Sequence, residues 1–498
     1  MKRLQCDVVV VGCGVAGLSA ALSALEGGAS VIILERAPEE ERGGNTRWTE
    51  ALLRVTPDGD PAPDFEQGYV NNPGFHILPE FLSATMGSYE NWPDLVKAAP
   101  MSDAEVLDAF LSGVRPGLDW LATHGVRLDQ TSFPMMPPLP PLTAVYGGGL
   151  AIVETLCPAV EAHGGTILYR TTAAELLRDD DNRITGIRAT DGDDHTVIID
   201  APNVVLACGG FEGNPEMRAR YLGPNSRYDR PLARGGWYHK GEGIQMALAA
   251  GAAGSGDYSD CHREPVDPRS NQPEALVNAF PLGIVVNQNG DRFMDEASSD
   301  PGYFQEQPSY LTTCQPGGIG YFIYDSKIAE VANWKLAMRT DQPPIEAATL
   351  SELADKLKIP ADNLERTAAA FNAACPDDAP LDTSSFDGRS TSGLMPPKTN
   401  FARTISEGPF GAYPMTSGIV FTYGALKVSR NSEVVNKSGV VIPGLYAAGE
   451  TVGIIYGVYV AATSVLRGLV FGRLAGSHAA TQSKQRTASV ASAPENRA

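Results

Sequence analysis

Residues 8–17 read VVVVGCGVAG, four consecutive valines followed by a glycine pattern of the form GxGxxG. The valine run predicts a strand buried on both faces, as in a parallel sheet. Residues 18–25, rich in alanine and leucine, predict a helix that opens directly after the glycines. A second apolar strand, residues 31–34, follows and ends at Glu35. Together these features predict a βαβ unit at the start of the chain.

The spacing inside this unit is the one that dinucleotide-binding proteins use. Gly12 permits the tight turn, Gly14 lets a diphosphate approach the backbone, and Gly17 allows close packing of the helix. The helix N-terminus then offers N–H groups and a partial positive charge to the diphosphate. Glu35 follows roughly 20 residues later, where a carboxylate accepts hydrogen bonds from ribose hydroxyls. A purely structural glycine turn is the alternative interpretation.

Composition and charge exclude several classes of partner. The chain has 498 residues, 43% hydrophobic and 20% charged, as in ordinary globular proteins. Its 39 Lys and Arg against 59 Asp and Glu give a formal charge of -20, which argues against nucleic acid or an anionic membrane surface as a partner. The seven cysteines are scattered and none forms CxxC, so we expect no metal site and a reducing, cytoplasmic compartment. The longest uncharged stretch, residues 453–466, is too short to span a membrane, and we predict no span.

The order of predicted elements indicates an α/β domain that is split in sequence. Further strands are predicted near residues 167–169, 184–189, 197–199 and 204–207, the second and third forming a hairpin. Near Asp257 the composition shifts to prolines and aromatics, with one helical stretch over residues 350–374. The buried-strand pattern returns at residues 440–449. We therefore predict a first domain at 1–256 and 411–480, an inserted domain at 257–410, and a mobile tail at 481–498.

Segments spread over nearly the whole chain resemble the flavoprotein family of fumarate reductase and succinate dehydrogenase. They are residues 12–17, 43–46, 207–211, 241–247, 286–293 with Glu296, 444–450 and 471–476. The resemblance implies FAD as the cofactor, a Rossmann-like FAD-binding domain, and an inserted α+β capping domain that closes over the flavin. Because only one dinucleotide fingerprint is present, we expect no separate NAD(P)H domain.

The resemblance also implies which residues contact FAD. They are Gly12, Gly14, Ala16, Gly17, Glu35, Arg36, Gly43, Gly44, Asn45, Thr46, Ala174, Cys208, Gly209, Gly243, Glu450, Ser464, Val465 and Leu466. Succinate dehydrogenases attach FAD to a histidine after the second glycine loop, but here that stretch reads TRWT, so we predict non-covalent binding. Thr463 and Ser464 are predicted to cap a helix that begins beside the flavin, and Gly468, Gly472 and Gly476 are predicted to let it pack closely.

The substrate pocket is predicted to depart from that of the family. Fumarate reductases hold a dicarboxylate with a histidine in an HHTxGG-like segment and an arginine in NRLGG. Here the corresponding residues 420–424 and 458–462 read VFTYG and VYVAA, so aromatic residues replace both charged anchors. These segments look more like the tricarballylate dehydrogenase branch, although that branch places arginines where this chain has Tyr303 and Tyr310. Tyr459 is similar in position to a tyrosine of 3-ketosteroid dehydrogenases that bonds the substrate carbonyl.

The candidates for acid or base are Tyr459, Tyr303, His262, Tyr310 and Tyr456. A histidine titrates near neutrality and could shuttle protons, but His262 is equally consistent with a packing role. Tyr303 and Tyr310 fall in a polar segment that also reads as an exposed loop. Arg292 and Glu296 match the family's Arg-Phe-x-x-Glu segment and are also consistent with a structural ion pair.

Chemistry connects this pocket to a class of reaction. Desaturation of a C–C bond passes hydride to the flavin and an α-proton to a base, and the developing enolate needs stabilisation. A carboxylate needs cations for this, whereas a ketone can use neutral donors such as a tyrosine hydroxyl. We therefore expect an FAD-dependent dehydrogenase acting on CH–CH bonds, favouring a ketone and passing electrons to an unidentified acceptor. A tricarballylate-type dehydrogenase, a fumarate-reductase-like alkene reductase and a non-catalytic flavin-binding module are the alternatives.

Overall fold

The computed structural model describes residues 1–70, 103–129, 142–299, 306–376 and 379–492. Tyr303, one of the predicted catalytic tyrosines, lies outside these residues. Within the described part of the chain, no helix is long and apolar enough to cross a membrane.

The strands are β1 Lys2–Gln5, β2 Val8–Val11, β3 Val31–Leu34, β4 Leu52–Leu53, β5 Leu128–Asp129, β6 Thr143–Val145, β7 Thr166–Leu168, β8 Thr172–Arg178, β9 Ile184–Thr190, β10 Thr196–Asp200, β11 Asn203–Leu206, β12 Arg230–Pro231, β13 Gly254–Ser255, β14 Cys261–Val266, β15 Ile284–Val286, β16 Gly320–Tyr324, β17 Ile345–Ala347, β18 Phe410–Thr422, β19 Ala425–Leu426, β20 Glu433–Val435 and β21 Val441–Ala447. The α-helices are α1 Val15–Glu26, α2 Phe65–Val70, α3 Ala104–Thr123, α4 Gly148–Ala162, α5 Pro215–Tyr221, α6 Arg234–Trp237, α7 Glu242–Ala249, α8 Glu306–Thr313, α9 Leu350–Leu357, α10 Ala361–Ala374 and α11 Ser464–Ser492. Short 3-10 helices cover Glu39–Glu41, Gly44–Trp48, Pro224–Tyr228, Phe280–Leu282, Pro316–Gly318, Ser326–Glu330, Trp334–Ala337 and Gly449–Thr451.

The central sheet has the order β20-β21-β11-β2-β3-β7, and its inner strands are parallel. All four valines of β2 are buried, as their unbroken apolar run predicts. The predicted βαβ unit is confirmed, with α1 starting three residues earlier than the alanine-rich run. The carboxyl ends of β2, β3 and β11 therefore meet at one edge of the sheet.

Helix α11 packs along α1 through its glycines. A side chain at Gly472 would collide with the carbonyl of Ala16, and one at Gly476 would collide with the carbonyl of Ala20. The close packing predicted from their four-residue spacing is thus confirmed. The helix continues past Thr481, the predicted start of a tail without regular structure, and ends at Ser492.

A second sheet has the order β1-β10-β9-β8 and covers one side of the first domain. Strands β9 and β10 form the predicted hairpin, in which Thr190 pairs with Thr196. Strand β8 was not predicted from the sequence, because its polar and charged residues break the apolar run.

The capping domain is built on β18, a 13-residue strand at the centre of a sheet with the order β12-β18-β16-β15. Strands β14 and β17 also pair with β18. This sheet extends beyond both limits of the predicted 257–410 domain, because β12 precedes Asp257 and β18 runs on to Thr422.

The predicted single helix over residues 350–374 is wrong, because the structure has α9 and α10 instead. Lys358 ends α9 in the left-handed region with φ 58°. Pro360 follows, and a proline has no N–H to continue a helix and restricts the residue before it.

Candidate active site

A cavity with about 1320 Å³ of empty space, including the open solvent at its mouth, lies at the carboxyl edge of the central sheet, between the first domain and the cap. The predicted cofactor residues that line it are Gly12, Gly14, Ala16, Glu35, Arg36, Gly44, Asn45, Thr46, Cys208, Gly209, Gly243, Glu450, Ser464 and Val465. The sequence prediction therefore located the walls of one continuous cavity.

The N-terminus of α1 forms one end of this cavity. Gly14 has no side chain to cap the helix; the Val15 N–H donates to Thr46 Oγ1 at 3.0 Å, and an anion could accept from the next N–H groups of the first turn. Gly12 has φ 107°, and any side chain there would collide with the Ala207 carbonyl. Glu35 ends β3 and accepts a hydrogen bond from the backbone N–H of Cys13 at 3.0 Å. Burial raises the pKa of this carboxyl group.

Four predicted cofactor residues stand outside the cavity lining. Gly17 packs against the Gly12 carbonyl behind the loop, and Gly43 packs against Val153. Leu466 is fully buried in the core. Ala174 is exposed whereas Ala173 lines the cavity, and the pairing of β8 with β9 is irregular between Ala173 and Glu175. Direct contact of Ala174 with the cofactor stays a prediction.

His239 and Glu450 on the cavity wall form a charged cluster with the fully buried Glu212. His239 Nδ1 lies 2.6 Å from Glu212 Oε1 and 3.4 Å from Glu450 Oε2. Burial and the neighbouring Glu450 raise the pKa of Glu212 to about 7. Burial alone would lower the pKa of His239, but the two carboxylates raise it well above its usual value. The donor set could also ligate a metal ion, a possibility that sequence reasoning missed.

These features fit FAD. The cavity offers an uncapped helix N-terminus and a glycine cradle that side chains would fill, at the end where Glu35 stands. Its other end is lined by Phe421, Glu450 and the first turn of α11, including Ser464. Among the described residues, Gly12, Gly14, Glu35 and Glu450 would hold the cofactor.

The second part of the site is an aromatic and acidic cluster beside Phe421. Pairing of β14 with β18 places His262 opposite Phe421, with ring centroids 5.3 Å apart. The Tyr459 ring lies 4.6 Å from the His262 ring and 4.9 Å from that of Phe421. Because Phe421 also lines the cavity, this cluster adjoins the space that the cofactor would fill.

Glu306 lies at the centre of this cluster. Its Oε1 is 3.0 Å from His262 Nδ1, accepts the Tyr423 hydroxyl and lies 3.4 Å from the Tyr459 backbone nitrogen. The interpretation of this segment as an exposed loop is wrong, because residues 306–313 form α8, which packs on β14 and β18 and buries Glu306. The polar run QEQPS gave no apolar pattern from which this burial could be predicted.

Hydrogen bonds control the protonation of this cluster. Burial alone would lower the pKa of His262, but its partners Glu264 and Glu306 raise it to about 9. His262 is therefore an imidazolium at neutral pH. Burial and the charge of Glu306 raise the pKa of Tyr423, so that its hydroxyl stays protonated.

Tyr459 places its hydroxyl at the N-terminus of α11. Its oxygen accepts hydrogen bonds from the backbone N–H groups of Thr463 and Ser464, both at 2.9 Å. The sequence predicted that Thr463 or Ser464 would cap this helix, whereas Thr463 Oγ1 donates to the Val460 carbonyl instead. The helix N-terminus carries a partial positive charge, which acts on this oxygen.

The structure does not bring the other candidates into this cluster. Tyr310 lies on α8 with its side chain exposed. Tyr456 accepts a hydrogen bond from the Gly256 backbone at 2.9 Å, in the connection to the cap. Arg292 and Glu296 form an ion pair at 2.6 Å, in agreement with the structural interpretation.

Carboxylates surround the far side of the cavity. Glu274 lines it, and its neighbours Glu264 and Glu50 belong to the cap and the first domain respectively. Burial and the repulsion from both carboxylates raise the pKa of Glu274 to about 8, although Arg339 lies 3.4 Å away. A carboxyl group that its neighbours keep neutral marks a region of negative potential.

The glycine cradle and the adjoining aromatic and acidic cluster lie in a flavoenzyme of the fumarate reductase fold. The sequence profile of the FAD-binding domain family matches residues 7–465, and the chain belongs to this family. Its cofactor is FAD, and it is an oxidoreductase that acts on CH–CH bonds.

Relatives with described activities cover almost the whole chain. Vinyl phenol reductase of Lactiplantibacillus plantarum is 28% identical over 98% of both chains. The 4-oxocyclohex-2-ene-1-carboxylate 5-dehydrogenase of Sinomonas cyclohexanicum is 26% identical over 92% of this chain and 90% of its own. The open form of a flavocytochrome c3 fumarate reductase matches the fold with a TM-score of 0.71, at 22% identity over 96% of this chain and 79% of that chain.

Proposed function

We propose that the protein reduces a C=C bond conjugated to an uncharged oxygen substituent, such as a ketone or a phenol. The observation that carries this proposal is the position of the imidazolium of His262 beside the Tyr459 ring, 4.6 Å from it, in a pocket bordered by carboxylates. Such a reduction requires two groups: an acid that protonates the carbon and a hydroxyl that donates a hydrogen bond to the oxygen.

Tyr459 is assigned to the substrate oxygen. Two backbone N–H groups hold its hydroxyl oxygen, and its own proton is left to donate outward. FAD, when bound, exchanges the hydride. As negative charge develops on the substrate oxygen, the Tyr459 hydroxyl and the positive end of α11 stabilise it. No cation is needed when the substrate oxygen starts uncharged.

His262 is assigned to the proton on carbon. Its Nδ1 is held by Glu306 at 3.0 Å, whereas Nε2 has a long contact of 3.5 Å with Glu264. The Nε2 proton is the one that a substrate carbon could receive. Glu306 orients the ring and keeps the imidazolium charged, so we assign it as a positioning residue.

Charge supports an uncharged substrate group. Burial and the charges of Glu264 and Glu50 raise the pKa of Glu274 on the cavity wall, and burial raises that of Glu50 although Arg339 pairs with it at 2.7 Å. A substrate carboxylate placed there would add to this repulsion. Of the guanidinium groups near the cluster, Arg263 pairs with Asp260, and the buried Arg467 lines the cavity 5.1 Å from the ring centroid of Phe421.

The two relatives share one chemical feature that fits this assignment. A vinyl phenol carries its oxygen in conjugation with the alkene through the ring, and an oxocyclohexene carries a carbonyl in conjugation with its double bond. Hydride addition to the oxocyclohexene places the developing charge on its carbonyl oxygen, where a single hydroxyl donor can stabilise it. In a vinyl phenol, protonation of the terminal carbon with loss of the phenol proton first gives a quinone methide, and hydride transfer to this species places the charge on the oxygen.

Desaturation of a cyclic ketone is the second candidate, and the dehydrogenase name of the Sinomonas relative favours it. The same groups serve the reverse reaction, because the acid of one direction is the base of the other. In that direction the neutral imidazole of His262 takes the α-proton, and Tyr459 stabilises the enolate. The ketone named for the Sinomonas relative is consistent with this direction.

Anaerobic flavin spectroscopy tests both candidates. The holoenzyme is reduced with light and a chelator, then mixed with 2-cyclohexenone, 4-vinylphenol or fumarate. We expect the oxidised flavin band to return with the enone or the vinylphenol and not with fumarate. In the reverse assay, bleaching of oxidised enzyme by cyclohexanone would identify desaturation. Reoxidation by fumarate alone would refute the assignment of an uncharged substrate oxygen.

A further inference from the structure

Two free cysteines face each other directly beneath the glycine loop that cradles the cofactor. The Sγ atoms of Cys13 and Cys157 are 3.5 Å apart, and the two residues are 1% and 2% exposed. Cys13 stands between Gly12 and Gly14, whereas Cys157 lies in the middle of α4, 144 residues later. The proposed reaction uses neither thiol.

The surroundings of the pair favour a thiolate on Cys157. The hydrogen bond between the two sulfurs and the nearby Arg42 guanidinium together outweigh burial and lower the pKa of Cys157. The same hydrogen bond, with burial, raises the pKa of Cys13. Cys157 therefore has the greater thiolate character and is the nucleophile, whereas Cys13 remains a thiol within reach of it.

We propose that Cys13 and Cys157 form a reversible disulfide in the presence of peroxide, and that this bond weakens FAD binding. The Cys157 thiolate attacks hydrogen peroxide, which breaks the O–O bond and yields a sulfenic acid and, after protonation, water. The Cys13 thiol then attacks the sulfenic sulfur, forms the S–S bond and releases a second water. Two thiols are oxidised and one peroxide is reduced to two waters. Reduction by a dithiol restores both thiols.

Closing the disulfide must move a wall of the cofactor cavity. A disulfide has an S–S distance of about 2.05 Å, so the sulfurs must approach by roughly 1.5 Å. On one side the loop cannot shift alone, because the backbone N–H of Cys13 is bonded to Glu35. On the other side, the start of α4 packs at Gly149 on the backbone of Thr46, which also lines the cavity. Either movement therefore disturbs residues that would hold FAD.

The cavity provides the route for peroxide. Cys13 belongs to its lining, so a small oxidant that enters the FAD-depleted protein reaches the pair from that side. We expect FAD to slow the oxidation, since the cofactor fills the same cavity. The disulfide would then form mainly in protein that lacks FAD, and under oxidising conditions it would hinder FAD from binding again.

The experiment compares the full-length holoenzyme with the same protein depleted of FAD. Each is treated with hydrogen peroxide, alkylated and digested, and peptides linked through Cys13 and Cys157 are sought by mass spectrometry. FAD affinity is measured in parallel by flavin fluorescence. We expect the linked peptide mainly in the depleted protein, with FAD affinity lowered about tenfold or more. Dithiothreitol should reverse both changes.

Two variants separate this pair from other thiols. Cys157→Ser should give no linked peptide and an FAD affinity that peroxide does not change. Cys314→Ser, at an exposed cysteine, should respond as the wild type does. Absence of the linked peptide in the wild type, an unchanged FAD affinity when it forms, or an equal loss of affinity in Cys157→Ser would each overturn the proposal.

Discussion

The hydroxyl oxygen of Tyr459 accepts the backbone N–H of Ser464 at 2.9 Å, so a side chain from the preceding loop caps the C-terminal helix. Thr463 donates to the same oxygen at an equal distance. The capping group is thus also the group that faces the proposed substrate. The Tyr459 phenol therefore caps the helix and is also the group proposed to bind the substrate oxygen.

Replacing Tyr459 by phenylalanine tests this arrangement. We expect kcat/KM with 2-cyclohexenone to fall about 10²–10³-fold, the range for loss of one donor to a developing oxyanion. Two backbone N–H groups also lose their acceptor, which should reduce the free energy of unfolding by about 1–3 kcal/mol. Stopped-flow reoxidation and thermal unfolding measure the two effects.

Tyr310→Phe is the matched control, because Tyr310 is exposed on α8. It should leave both the rate and the melting temperature unchanged. A similar loss of rate in the two variants would mean that the capped helix is not the oxygen-binding element.

His262 should impose an alkaline limit on the reduction. Its pKa of about 9 means that the imidazolium is present at neutral pH and disappears as the pH rises through 9. We expect the reoxidation rate with enone to fall over that range in the wild type. His262→Gln should be slow throughout, with no alkaline limb. An unaltered limb in the variant would assign the acid to another group.

The same residue contributes to stability with a defined sign. The folded-state pKa is above the unfolded value of about 6.5, so His262 stabilises the fold fully below that pH. This contribution is lost as the pH rises through about 9. Urea unfolding at pH 6 and pH 10 should therefore differ more in the wild type than in His262→Gln.

Glu306→Gln should move the alkaline limb rather than abolish activity. The carboxylate is one of two that raise the pKa of His262, and its loss lowers that pKa by about one unit or more. The pH profile of reoxidation shows the shift. Glu330→Gln, at a glutamate that pairs with Arg403 elsewhere in the cap, should keep the wild-type profile. A pure loss of rate at every pH would contradict a positioning role.

Gly12→Ala should abolish FAD binding. The position has φ 107°, and an added Cβ would collide with the carbonyl of Ala207. The purified variant is expected to be colourless while keeping its far-UV circular dichroism. Gly164→Ala is the matched control. It also places a side chain at positive φ, but nothing lies within 4 Å of that side chain, so this variant should keep its FAD. Retained flavin in Gly12→Ala would show that the loop tolerates displacement.

Many residues that line the cofactor cavity could be predicted because the sequence signals there are local. A strand, a glycine turn and a helix follow one another directly, and Glu35 follows the next strand. Strand β8 was not recognised, and its irregular pairing between Ala173 and Glu175 leaves no simple alternation from which the face of Ala174 could be predicted. The helix break at Pro360 was signalled in the sequence but outweighed by the helical pattern on both sides.

The proton-exchanging half of the site could be predicted only in part. His262 and Tyr459 stood out by residue type and by position, but Glu306 belongs to a polar segment whose burial depends on packing against two distant strands. The contact between Cys13 and Cys157 spans 144 residues and leaves no periodic signal. Such contacts arise from tertiary packing, which sequence patterns do not encode.

The length of β18 has a practical consequence for protein engineering. One strand holds the cap sheet together and also delivers Phe421 to the cofactor cavity, and its last residue, Thr422, is bonded to Glu450 of the first domain at 2.8 Å. A chimera that exchanges caps between relatives would sever this strand if the crossover were placed near residue 410. Junctions before Arg230 and after Thr422 would transplant the sheet with His262 and Phe421 as one cassette, whereas Tyr459 and Glu450 would come from the recipient's first domain.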